Sequence, residues 1–186
     1  MEALLVSIGI VALAEIGDKT QLLTLVLAAR YKKPWPICAG IFVATLVNHG
    51  IAGALGAWIM ATVGPDAMRW ILGLSFIAMA GWMLIPDKLD DDAGAGRQVG
   101  GVFLTTTFLF FLVEIGDKTQ IATVALAARF PALLAVVMGT TIGMLLANAP
   151  VAFFGEALAK RLPVRAVHVV AALVFAALGL GVLVFG

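Results

Sequence analysis

Glu15-Ile-Gly-Asp-Lys-Thr-Gln21 and Glu114-Ile-Gly-Asp-Lys-Thr-Gln120 are the same seven residues in the same order, each set inside an apolar run. Each copy places two carboxylates, an ammonium, a hydroxyl and an amide where the flanking sequence is oily. An ionisable group at the centre of a membrane helix costs about 2.5–3.5 kcal/mol on insertion scales. A pattern that carries this cost twice points to use, and carboxylates at that depth suit the holding and moving of a cation.

The setting of these islands follows from composition. The 186 residues are 62% hydrophobic and only 12% charged, and the mean hydropathy is +1.09. A soluble domain of this length cannot bury so much apolar surface, so the chain reads as an all-α integral membrane protein in a lipid bilayer. The net charge of +1 and the scattered lysines and arginines exclude the basic stripe of a nucleic-acid binder. Cys38 is the single cysteine, which rules out an internal disulfide, and it reads as a small apolar residue of a helix. Met1-Glu2-Ala3 lacks the positive start of a cleavable signal, so the first apolar run is expected to remain as a helix.

The islands are the most visible part of a longer repeat. At the offset that carries Glu15 onto Glu114, Thr24, Leu27, Ala28, Ala29 and Arg30 fall on Thr123, Leu126, Ala127, Ala128 and Arg129. Gly40 falls on Gly139, and Ala67, Leu74, Phe76, Ala78 and Leu84 fall on Ala166, Leu173, Phe175, Ala177 and Leu183. Apolar runs long enough to cross a bilayer lie at roughly 3–29, 36–62 and 68–85 in the first copy, and roughly 102–128, 132–154 and 166–185 in the second. Breaks are expected at Arg30–Pro36, Gly64-Pro65-Asp66, Pro86–Gly101, Arg129-Phe-Pro131 and Glu156–Pro163. The expected organisation is a three-helix repeat over 1–86, a linker over 87–101 and a second three-helix repeat over 102–186. An odd span count makes the second copy enter the membrane from the opposite side. Six transmembrane helices as two inverted repeats follow, with the shared site near the midplane.

Positive charge sets the expected orientation. Arg30, Lys32, Lys33, Lys88, Arg97, Lys160, Arg161 and Arg165 fall on one side, Arg69 and Arg129 on the other. Both termini are thus expected outside and the linker in the cytoplasm. Trp35, Trp70 and Trp82 sit near span ends, as interfacial anchors do. In the linker, Asp87, Asp90, Asp91 and Asp92 lack the spacing of a calcium-binding EF-hand and read as solvated chain.

Residues three or four apart share a helix face. A stripe of Glu15, Asp18, Gln21 and Thr24 is therefore expected, repeated as Glu114, Asp117, Gln120 and Thr123, with Thr20 and Thr119 beside it. Two such stripes face to face bring four carboxylates around one point. Hard divalent cations take such oxygen donors, and the absence of cysteine and histidine from the stripe argues against zinc and copper. Mn²⁺, Ca²⁺ and Mg²⁺ remain, and the reluctance of Mg²⁺ to shed water favours the first two. Gly17 and Gly116 serve either close helix packing or an unwound turn. Lys19 and Lys118 reduce the net charge of the four carboxylates to −2, and an ammonium, having no lone pair, bridges carboxylates rather than touching metal. Asn48 and Asn148 are candidates for a supporting layer, against a helix–helix hydrogen bond. His49 reads first as a packing or hydrogen-bonding residue, with proton relay behind it. Thr45, Thr140 and Thr141 read as hydroxyls bonded back to their own helix.

The doubled Glu-Ile-Gly-Asp-Lys-Thr, at Glu15–Thr20 and Glu114–Thr119, resembles the signature of uncharacterised protein family 0016, the Gdt-type and transmembrane protein 165-like cation transporters. Both copies match at every position and the resemblance covers essentially the whole chain. It implies secondary transport of Mn²⁺ and Ca²⁺, as substrates rather than cofactors, in exchange for protons. It also implies Glu15, Asp18, Glu114 and Asp117 as cation ligands, with the chain in the compact prokaryotic form that exports metal across the plasma membrane. Export of an amino acid or organic cation is the alternative, although no aromatic cage is evident. An intramembrane aspartyl protease is a remote one, since a lysine beside each aspartate spoils a shared-proton dyad. Homo-oligomerisation is left open.

Overall fold

The computed structural model describes residues 1–85, 100–155 and 163–185, and these are helical without a strand. Eight helices form among them: α1 (Glu2–Glu15), α2 (Lys19–Tyr31), α3 (Pro34–Val63), α4 (Pro65–Trp82), α5 (Val102–Glu114), α6 (Lys118–Arg129), α7 (Leu133–Phe154) and α8 (Val164–Phe185). The reading of Asp87, Asp90, Asp91 and Asp92, and of Lys88, Arg97, Lys160 and Arg161, lies outside the described residues.

Both motif runs are broken in two. Ile16 is extended and Gly17 takes φ +84°, so α1 stops at Glu15 and α2 restarts after Asp18. Ile115 and Gly116, at φ +75°, divide α5 from α6 in the same way. Positive φ costs an L-residue about 1–2 kcal/mol, which glycine avoids. Of the two roles open to these glycines, the unwound turn is thus the one both perform. The expected stripe along one continuous helix does not form. Asp18 and Asp117 cap new helices in extended conformation instead of following Glu15 and Glu114 by three helical positions.

Elsewhere the boundaries follow local chemistry. Gly64, at φ +80°, alone separates α3 from α4, because Pro65 has the fixed φ and missing N–H that a first helical turn accepts. The expected break at 64–66 therefore shrinks to one residue. Three helices, α3, α7 and α8, are long and apolar enough to cross a membrane by themselves. The parts of the broken runs, 14 and 13 residues in the first and 13 and 12 in the second, are each too short to do so.

Packing is crosswise between the two halves. α1 lies along α7 and α5 along α3, while α2 also meets α7 and α6 meets α3. Glycines make the close approaches: a Cβ on Gly139 would stand 2.7 Å from the Leu4 carbonyl, and one on Gly40 would stand 2.9 Å from that of Phe103. These are equivalent positions of the repeat, so one contact is made twice. α4 pairs with α8, where the equivalent rings of Phe76 and Phe175 meet at 6.1 Å.

Burial is inverted relative to a water-soluble protein. Ser7, Glu15, Asp18, Thr20, Gln21, Thr24, Asn48, His49, Glu114, Asp117 and Lys118 are buried, while Leu5, Ile51, Leu146, Phe154 and Leu173 lie exposed. A buried polar centre set within apolar packing, inside an exterior that exposes large apolar side chains, is a lipid-facing arrangement. Trp35, 75% exposed, stands at the start of α3 and meets Phe153 edge to face.

Candidate functional site

The two unwound turns meet at the centre of the molecule. Carboxylate oxygens of Glu15, Glu114 and Asp117 all lie within 4.8 Å of one another, and each of these residues is at least 98% buried. Asp18 joins them through Lys118, whose Nζ stands 3.7 Å from Asp18 Oδ1. The reciprocal pair is shorter, with Lys19 Nζ 2.9 Å from Asp117 Oδ1. Each lysine thus reaches the aspartate of the other half, in the bridging role expected of an ammonium. The crossed pairs offset part of the cost of crowding carboxylates away from water.

The two glutamates are held differently. Glu114 Oε1 accepts from Thr119 Oγ1 at 2.8 Å and pairs with His49 Nε2 at 3.2 Å, while Oε2 has no hydrogen-bond partner among the described residues. Neither oxygen of Glu15 has such a partner, and the hydroxyl of Thr20, the counterpart of Thr119, has none either. Unpaired buried acceptors are costly, and those of Glu15 and Glu114 belong to the carboxylate group that converges here.

The glutamines close the broken turns. Gln21 Oε1 accepts from the Gly17 N–H at 2.9 Å, and Gln120 Oε1 accepts from that of Gly116 at 2.7 Å. These amides satisfy backbone donors that the interruption leaves open. Gln21 also donates to the Ala147 carbonyl of α7 at 3.0 Å. Asn48 donates to the Phe111 carbonyl at 3.1 Å, which is the helix–helix bond. Asn148 accepts from Thr24 at 2.7 Å and donates to Met144 of its own helix. Thr140 and Thr141 bond back to Val137, whereas the Thr45 hydroxyl has no partner among the described residues.

One residue of the centre escapes sequence reasoning. His168 of α8 donates from Nε2 to the Ile16 carbonyl at 2.8 Å, inside the first unwound turn. Its repeat counterpart is Arg69, so motif matching passes over it. A basic side chain at both copies of one position was the available signal.

Comparison with known proteins places the chain in a family. The family model described as "Divalent cation/proton antiporter GDT1" matches residues 3–91 and 102–186. A Vibrio cholerae protein named "Putative manganese exporter" is 50% identical over 186 residues, which are 100% of this chain and 92% of that one. "GDT1-like protein 3" of Arabidopsis thaliana is 27% identical over 94% of this chain and 68% of its own length. "GDT1-like protein sll0615" of Synechocystis is 25% identical over 89% of each. No solved structure matches. A paired carboxylate centre in an apolar helical protein, with a family model covering both halves, means that the chain belongs to the GDT1 divalent cation/proton antiporters, transporters rather than enzymes, for which the metal is cargo and not cofactor.

Proposed function

We propose that this chain exports Mn²⁺ across the plasma membrane in exchange for protons, by alternating access to the carboxylate centre. In this reading the six runs cross the bilayer as two inverted three-helix repeats, with both termini outside and the linker in the cytoplasm. The supporting observation is the convergence of Glu15, Glu114 and Asp117 oxygens from both halves within 4.8 Å, in full burial. Those three residues are the proposed ligands, with Asp18 completing the set. Gln21 and Gln120 support the set by holding the turns, as do Thr119 and His49 by orienting Glu114. Manganese is favoured by the name of the half-identical Vibrio cholerae relative.

Charge balance connects metal to proton. Four carboxylates and two lysines carry −2, which one divalent ion neutralises. When the ion leaves, protons on the carboxylates take over that role, and the centre can reorient without exposing net charge to lipid. Ca²⁺ is the second candidate, because the all-oxygen donor set suits it equally. Purified protein in proteoliposomes with a pH-sensitive dye inside tests the proposal. Mn²⁺ entry is expected to drive proton exit, and Asp18→Asn and Asp117→Asn to abolish both fluxes. Mn²⁺ movement at the wild-type rate in both variants would overturn it. Ca²⁺ competition in the same vesicles ranks the two cations.

A further inference from the structure

The α4–α8 pair is a layer of its own. The two helices run antiparallel, since Gly73 packs against Leu183 and the Gly179 carbonyl, and Gly179 packs against Gly73 and Ile77. A Cβ on Gly73 would stand 3.2 Å from the Gly179 carbonyl, and one on Gly179 would stand 2.9 Å from that of Gly73. With the equivalent Phe76 and Phe175 beside them, these glycines form a close crossing at the middle of α4 and in the C-terminal half of α8.

At one end of the crossing the pair is clamped onto the carboxylate centre. His168 holds the Ile16 carbonyl at 2.8 Å. Val164 fills the space where Gly17 has no Cβ. The Ile85 carbonyl, at the end of α4, accepts from Lys118 Nζ at 3.4 Å. At the other end the equivalent positions stand apart. Gly116 has nothing within 4 Å of a notional Cβ, and Ile115 is 54% exposed. Arg69, counterpart of His168, leans on Trp70 and its Nε has no hydrogen-bond partner among the described residues. A cleft of about 250 Å³ separates this end of α8 from α1 and α6, lined by Glu2, Arg129, Phe130, Val182 and Phe185 among others.

The difference reaches side chains that are identical in the two repeats. Lys19 and Lys118 are the same residue at equivalent positions, yet Lys118 is 1% exposed and Lys19 is 24% exposed. The asymmetry thus goes with the position of the α4–α8 pair and with the different residues, His168 and Arg69, that it presents to the two turns.

We propose that the α4–α8 pair rocks about the Gly73–Gly179 crossing, and that His168 and Arg69 are the twin positioning residues that hold its two end states. The proposal rests on the alternating-access reading and supplies its moving part. In the second state the clamp contacts are exchanged between the two ends. Arg69 donates to the Ile115 carbonyl, Lys19 reaches the Val184 carbonyl, the cleft closes, and His168 releases Ile16. Each clamp acts on a ligand pair through the turn that joins it, Glu15 with Asp18 or Glu114 with Asp117.

Spin labels at Glu2→Cys and Phe185→Cys, on opposite walls of the cleft, report its width on a Cys38→Ser background in liposomes. Wild type is expected to show a long and a short distance. His168→Ala is expected to enrich the short distance about fivefold, the change that follows loss of one net hydrogen bond. Arg69→Ala is expected to enrich the long one. His168→Gln keeps a donor and is expected to restore the wild-type ratio. Val164→Ala, a mild truncation, is expected to move the ratio in the same direction as His168→Ala and keeps the test decisive if that variant does not fold. Shifts of His168→Ala and Arg69→Ala in the same direction, or no shift with Val164→Ala and His168→Ala, would overturn the rocker. Mn²⁺/proton exchange measured on the same liposomes is a separate readout: its absence from wild type defeats the transport reading, whatever the distances show.

Discussion

Lys19 of the first half ion-pairs with Asp117 of the second, Nζ to Oδ1 at 2.9 Å. Lys118 answers it on Asp18 at 3.7 Å. Each motif thereby supplies a counter-charge to the aspartate of the other.

Distance and burial rank these two pairs differently, and burial decides. Breaking a fully buried pair costs about 3–5 kcal/mol, while a partly exposed one is worth about 1 kcal/mol or less. Lys118 is 1% exposed against 24% for Lys19. Lys118→Gln is therefore expected to lower the thermal unfolding temperature in detergent several times more than Lys19→Gln, despite its longer contact. Equal shifts would contradict the argument.

Glu15 is a site where function and stability oppose each other. Its two oxygens have no hydrogen-bond partner among the described residues and lie beside other carboxylates. Glu15→Gln removes a buried charge while keeping the shape, so the metal-free protein is expected to melt higher. Mn²⁺ binding, followed by calorimetry, is expected to fall at least tenfold in the same variant. A lower melting point with intact binding would refute both halves of this expectation.

The unwound turns predict a graded response to alanine. Both Gly17→Ala and Gly116→Ala place a Cβ at positive φ, for about 1–2 kcal/mol. Gly17→Ala also drives that Cβ into Val164, whereas the space at Gly116 is open. Gly17→Ala should be the more destabilising, and Val164→Ala should relieve it without relieving Gly116→Ala. A double-mutant cycle reads that coupling directly.

Crosswise packing makes a symmetric prediction. Gly40→Ala and Gly139→Ala each push a methyl group onto a backbone carbonyl that cannot rotate away, and overpacking of this kind costs about 1–3 kcal/mol. The two variants should lose similar stability by chemical denaturation. Gly9→Ala and Gly50→Ala meet nothing within 4 Å in their helices and should be neutral or gain up to about 1 kcal/mol.

Much of the centre was legible in the chain itself. The repeat offset that paired Glu15 with Glu114 also paired Gly40 with Gly139 and Phe76 with Phe175, and these pairs form equivalent or mutual contacts in the fold. Helical periodicity was the wrong geometry for the site. It assumed an unbroken helix through Gly17 and Gly116, and tertiary context settled these glycines in positive φ. It also aimed Gln21 and Gln120 alongside the carboxylates, whereas their oxygens close the turns. His168 carried no motif, because its role depends on α8 crossing over α1, a contact between residues 152 apart.

The sequence by itself determined the membrane setting, the duplication and the identity of the buried charges. Composition, repeat spacing and residue type are properties of a linear chain, and the energetic cost of burying an ion does not depend on which helix carries it. Tertiary structure alone decided which charges meet. Lys19 reaching Asp117, His49 reaching Glu114, and one unwound turn covered while its twin stands open all depend on how the helices cross. Two identical motifs encode the same groups twice, and His49, whose repeat counterpart is Asn148, together with packing against α4 and α8, makes the two halves differ.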